Sequence, residues 1–134
     1  MLLPDAPLHL ERVPSPTRDL VGPAELESFI SGAMGRFSFF EAVVLNSHIE
    51  LYPDGDPDCA TARLWMCEIR CEGDDDAATD GWSTAYGLYR DRYERLDGRW
   101  WFARRHYRSL ARAGLNGMVL PFPEFPEGPL PTGL

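Results

Sequence analysis

Tyr89, Asp91 and Tyr93 alternate along one stretch of chain, and alternation on a strand sends all three side chains to the same face. A carboxylate between two phenols is a small acid–base set. Asp91 can accept a proton, and Tyr89 can donate a hydrogen bond to a developing oxyanion. The same spacing suits a tyrosine-rich core face in which Asp91 pairs with Arg105 or another arginine of the neighbouring strand. Glu68 shares a face with Ala62, Leu64 and Met66, where a carboxylate must be paired, protonated or at the sheet's rim. Arg90 or Arg92 across the sheet would satisfy it. Glu41, among Phe39, Val43 and Leu45, raises the same question and is the next candidate acid.

Other chemistries are closed by composition. All 13 basic residues of the 134 are arginine, which removes Schiff-base catalysis and a phosphate-cradling P-loop lysine. The three cysteines and three histidines show no metal-ligand spacing, so no metal is expected. Cys67 and Cys71, four apart on one strand, lie too far from each other for a disulfide. The run DGDPD at 54–58 lacks the later glycine and acid of a calcium loop and reads as a strand-connecting turn. A net charge of −8 argues against nucleic acid, and no apolar run is long enough for a membrane helix. The N-terminal run MLLPDAPLHLERV has no basic leader region, so a cytoplasmic location is expected. Residues 89–112 hold 8 arginines and 3 acids against an acidic remainder, a pattern that suits a solvated face or a dimer surface more readily than an anion site.

These residues need elements to position them. The first dozen residues read as extended, with Leu8 and Leu10 on one face and His9 and Glu11 on the other, followed by a loop to about Leu20. Gly22-Pro23 opens a short helix whose buried face is Ala24, Leu26, Phe29, Ile30, Ala33 and Met34. Residues 36–52 then take the period of a long, bent strand, rich in aromatic and β-branched side chains. Further strands are expected at 60–72, 82–96 and 99–109, the last two joined by the hairpin signal Asp97-Gly98. His106 lies among arginines and reads as a surface histidine. Five prolines in the last 14 residues make the tail extended, and its Val119, Leu120, Phe122 and Phe125 suit docking as a lid or inter-subunit arm.

Several segments together resemble SnoaL-like proteins of the nuclear transport factor 2-like superfamily. Leu20-Val21-Gly22 into PAELESFI resembles the family's glycine-led helix. Asn46, Ile49, the Asp-rich turn and Ala60-Thr61-Ala62 resemble its strand–turn–strand. Tyr86 to Asp91 with Asp97-Gly98-Arg99-Trp100 and Arg105 resembles its hairpin. The resemblance implies an α+β fold: a curved antiparallel sheet of about four to five strands wrapped around a short helix as a cone. The domain spans 1–112, and the Pro-rich tail spans 113–134. MLLPDA resembles the point that follows the family's N-terminal lid helices, so the chain is expected to lack them. It would then compensate by oligomerising or by folding its tail over the gap. A histidine carried by the family's dehydratases is replaced by the neighbourhood Phe39, Phe40, Glu41 and Ala42.

The implied function is a small-molecule-binding domain with an apolar pocket for a cyclic hydrophobic metabolite. A cofactor-independent dehydratase, isomerase or cyclase is the alternative. Its catalytic candidates are Asp91, Tyr89 and Glu41, and it predicts that Asp91→Asn abolishes turnover while leaving stability intact. Candidate ligand contacts are Asn46, Tyr93, Trp65, Glu68 and Phe39. Asn46 equally suits a bulge at the bend of its strand. No cofactor is implied, and the expected partners are a small hydrophobic molecule and a second copy, through the sheet and the C-terminal tail.

Overall fold

A computed structural model describes residues 1–12, 15–73 and 81–114. The residues 115–134, which hold the expected tail, and most of the acidic loop before Trp82 lie outside the described residues.

The described elements are β1 (Pro7–Glu11), β2 (Arg18–Val21), α1 (Gly22–Met34), β3 (Phe37–Leu51), β4 (Cys59–Glu72), β5 (Trp82–Leu96) and β6 (Arg99–Gly114). All six strands form one sheet in the order β2-β1-β6-β5-β4-β3. The pairs are antiparallel except β1–β6, which is parallel. β5 falls where alternation places it, and β6 runs five residues past the expected Ser109. β2 is the strand not foreseen. Arg18 to Val21 pair with Pro7 to Leu10 inside a segment whose prolines read as loop.

Extra residues at Leu45 of β3 and at Ala103 and Leu110 of β6 break the register and bend these long strands. The resulting curvature makes a concave face on which Ala60, Ala62, Met66, Ala85 and Tyr107 are buried. Leu10, Met66 and Tyr107 form the core cluster, with Leu20, Phe29 and Tyr89 packed against it. Gly87 allows this packing. Its position lies under the Tyr107 ring, and a β-carbon there would sit 2.2 Å from that ring.

α1 leans over the concave face. The Glu25 carboxylate accepts the Val21 N–H in place of a side-chain cap. The apolar face of α1 is only half-buried, at Leu26, Phe29, Ala33 and Met34, while Ala24 and Ile30 stay exposed. The helix borders an open space and does not sink into the sheet. At the far edge, β3 has no outer neighbour, and Val44, Leu45, Ile49 and Leu51 are each more than half exposed.

Candidate functional site

Between α1 and the concave face lies a cavity of about 330 Å³. Leu26, Phe29 and Met34 wall it from the helix, Phe37, Phe40 and Ala42 from β3, and Met66, Tyr89 and Tyr107 from the central strands. Register explains why these side chains converge. Met66 stands opposite Gly87 and Tyr89 opposite Tyr107, so one face of three adjacent strands supplies the floor. The Tyr89 and Tyr107 rings meet at 5.0 Å. Burial raises the Tyr89 pKa, so its hydroxyl remains a proton donor well past neutrality.

Asp91 lies next to this floor, with a side chain of 0 % exposure. Its two oxygens are taken by one guanidinium: Arg105 Nε donates to Oδ1 at 2.8 Å and Nη2 to Oδ2 at 2.7 Å. The Tyr93 hydroxyl donates to Oδ2 at 3.2 Å. Arg105 in turn lies 4.3 Å over the Tyr89 ring and 4.5 Å over the Phe102 ring. Burial works against its charge most strongly, but the hydrogen bonds to Asp91, the Asp91 charge and the Tyr89 and Tyr93 phenols together outweigh that and raise its pKa. Asp91 stands directly opposite Arg105 in the β5–β6 register, so the pair is the cross-strand one. Of the two roles open to Asp91, the geometry builds the paired one.

Tyr93 carries a testable consequence. Burial first, and the adjoining Asp91 charge second, push its pKa up to about 12 from 10.0. A raised pKa means the fold favours the neutral phenol. That stabilisation is complete below pH 10 and is lost as pH rises through 12. Tyr93→Phe should remove one late-titrating phenol from the near-ultraviolet tyrosinate absorbance and flatten the alkaline loss of stability.

The remaining candidates divide by face. Glu68 lines the cavity, and its carboxylate pairs with Arg70, two residues along the same strand, not with Arg90 or Arg92. Glu41 stands opposite Ile69, and Phe39 packs its ring on Trp82 at 5.3 Å. Both belong to the convex face, away from Tyr89. Asn46 and Trp65 stand opposite each other on that face too. Asn46 follows the extra residue at Leu45, and its Oδ1 accepts the Ser47 N–H at 2.8 Å, so its side chain serves the bend. The structure thus brings Tyr89, Asp91, Tyr93 and Glu68 to one face and leaves Glu41, Phe39, Asn46 and Trp65 on the other.

Five arginines that sequence reasoning did not single out as cavity residues line it: Arg12, Arg36, Arg70, Arg105 and Arg112. The available signal was an arginine recurring at apolar-facing positions, such as Arg70 two residues along from Glu68 and on the same face as Met66. Among the described residues, the group able to hold a metal is His9, Glu11 and His106 on the convex face. Parallel pairing sets His9 beside His106. His106 is no free surface histidine, because its Nε2 bonds Glu11 Oε1 at 2.7 Å. His9 Nδ1 bonds Asp19 Oδ1 at 2.5 Å, so hydrogen bonds already occupy this group.

A model of the SnoaL-like domain family matches residues 3–106. No curated protein matches this chain. Solved structures share the fold at low identity. A scytalone dehydratase-like protein from Novosphingobium aromaticivorans is 17 % identical with a TM-score of 0.69, covering 94 % of this chain and 77 % of its own. The hexachlorocyclohexane dehydrochlorinase LinA type 3 from Novosphingobium barchaimii is 18 % identical with a TM-score of 0.69, over 92 % and 77 %. The Kfla4162 protein from Kribbella flavida is 15 % identical, also at 0.69, over 87 % and 76 %.

Proposed function

The chain belongs to the SnoaL-like domain family, and we propose that it binds a small cyclic hydrophobic molecule in the cavity between α1 and the concave face, in the cytoplasm. The observation that carries this reading is the cavity's lining. Aromatic and aliphatic walls border about 330 Å³, with arginines and Glu68 at fixed places among them, a mixture small-molecule sites use for orientation. Two structural neighbours are named for reactions on compact ring compounds, which supports a ligand of that kind. Binding of this sort calls for no cofactor. A lyase built on Asp91 would first have to free it from Arg105, and Glu41 lies across the sheet from the cavity. Tyr89 is the one residue of that set that lines the cavity.

A second copy would cover the exposed apolar side chains of β3, so the proposed partner arrangement is a homodimer through this side of the sheet. Native mass spectrometry of the purified chain reads copy number and retained ligand together, and a dimer carrying a reproducible extra mass is expected. Calorimetry then measures the cavity directly with 2-naphthamide, a neutral bicyclic probe. Ala42→Trp, which projects an indole into the cavity, should weaken that binding by about tenfold or more. A probe that binds equally well to this variant would remove the reading, and so would failure of both the amide and the corresponding acid to bind the unaltered protein.

A further inference from the structure

Among the described residues, the concave face carries more cationic groups than carboxylates paired with them. Glu68 is, among these described residues, the one acid in the cavity's lining. It takes Arg70, Asp91 takes Arg105, and Glu72 lies 3.9 Å from Arg36. Among the described residues Arg12 and Arg112 have no carboxylate partner. The Nε atoms of Arg12, Arg70 and Arg112 are buried without a hydrogen-bond partner among the described residues, and so is the Ser83 hydroxyl. Ser83 as a residue is only 3 % exposed. Buried donors are usually hydrogen-bonded, so this set is open to a partner.

Register gathers three of these groups. Arg70 stands opposite Ser83, while Glu68, Ala85 and Arg112 form the next row across β4, β5 and β6. Neighbouring strands are about 4.8 Å apart, so the three residues sit on adjacent strands of one face, Arg70 and Arg112 in the cavity's lining and Ser83 in the row beside it. Ala85 contributes only a methyl group, which leaves room between Glu68 and Arg112. Arg70 Nη2 is occupied by Glu68, but its Nε is not. The charges also oppose one another. Burial, then Arg112 and Arg36, lowers the Arg70 pKa, and burial, then Arg18 and Arg36, lowers that of Arg12.

We infer that the molecule held in the cavity carries an acidic group, and that Arg70, Arg112 and Ser83 receive its carboxylate while its ring system lies against Phe29, Phe40 and Met66. The inference rests on reading the cavity as a small-molecule site and adds the chemical class: a hydrophobic ring acid. Two guanidiniums and a hydroxyl supply charge-assisted hydrogen bonds that a neutral ring cannot use. The carboxylate in turn would accept from donors that have no partner among the described residues.

Calorimetry on the full chain with 2-naphthoate and 2-naphthamide tests this, since the two probes share a ring system and differ in charge. The acid should bind about tenfold more tightly or better. Arg112→Gln should bring the ratio close to one. Ser83→Ala, a smaller change in case that variant fails to fold, should reduce the ratio several-fold. Equal affinity for both probes in the unaltered protein would overturn the inference and leave the cavity reading standing. Binding of neither probe would remove both. A preference for the acid that survives Arg112→Gln and Ser83→Ala would overturn the proposed receiving groups.

Discussion

Arg105→Met should destabilise the protein by about 3–5 kcal/mol, because it leaves the Asp91 carboxylate buried with no cation to answer it. The Tyr93 hydroxyl alone remains beside that carboxylate. Urea denaturation should show this as a midpoint drop of roughly 2 M, given typical slopes for small domains. Asp91→Asn should be milder, on the order of 1–3 kcal/mol. The guanidinium it strands is partly exposed and still lies over the Tyr89 and Phe102 rings. The double variant Asp91→Leu with Arg105→Met should recover much of the loss, since buried ion pairs are often replaceable by apolar pairs. This pattern separates two roles for Asp91. A proton acceptor would lose turnover in Asp91→Asn with stability intact. A cross-strand pair loses stability, and loses more of it when the arginine is removed. Additive single and double variants would show that the two side chains do not depend on each other.

The same pair shows what could be seen before the structure and what could not. Alternation placed Tyr89, Asp91 and Tyr93 on one face, and Arg105 was among the partners open to Asp91. Strand periods survive in the one-dimensional pattern, as does the Asp97-Gly98 turn, where both residues take positive φ. Which face of a strand turns inward is a different matter. β3 is apolar on both faces, so nothing in Phe39, Phe40, Glu41 and Ala42 distinguishes the side of Phe40 and Ala42 from that of Phe39 and Glu41. Asn46 failed to reach the cavity for a sharper reason. Strict alternation from Ala42 and Val44 would carry it to the concave face. One inserted residue at Leu45 shifts the phase, and every side chain after it changes sides. Register across strands was also hidden. Ser83, Arg70 and Arg112 are far apart in sequence and meet only through pairing. The His9–His106 contact likewise depends on a parallel β1–β6 pairing that no local pattern signals.

Gly22→Ala should cost several kcal/mol and weaken 2-naphthamide binding, whereas Gly98→Ala should cost only about 1–2 kcal/mol. Both glycines hold positive φ, +70° and +74°, so the backbone penalty for a β-carbon is similar at the two sites. Their surroundings differ. At Gly98 nothing lies within 4 Å of the added carbon, while at Gly22 it would sit 2.1 Å from the Pro4 carbonyl oxygen. A backbone oxygen cannot rotate away as a side chain can, so either the first residues or the helix must move. The Gly22 N–H also bonds the Ala6 carbonyl at 2.9 Å, which ties this corner to the N-terminal segment. α1 starts here and buries its apolar face only in part, so its own packing does little to hold it against displacement. Its exit angle from β2 therefore sets where Leu26, Phe29 and Met34 close the cavity. Urea denaturation of both variants, with 2-naphthamide affinity measured on each, separates the effects. A shared loss of stability of equal size would mean that the Pro4 contact relaxes freely and the corner does not position the helix. A larger loss in Gly22→Ala, joined by weaker probe binding, would locate control of the cavity's roof in one glycine outside it.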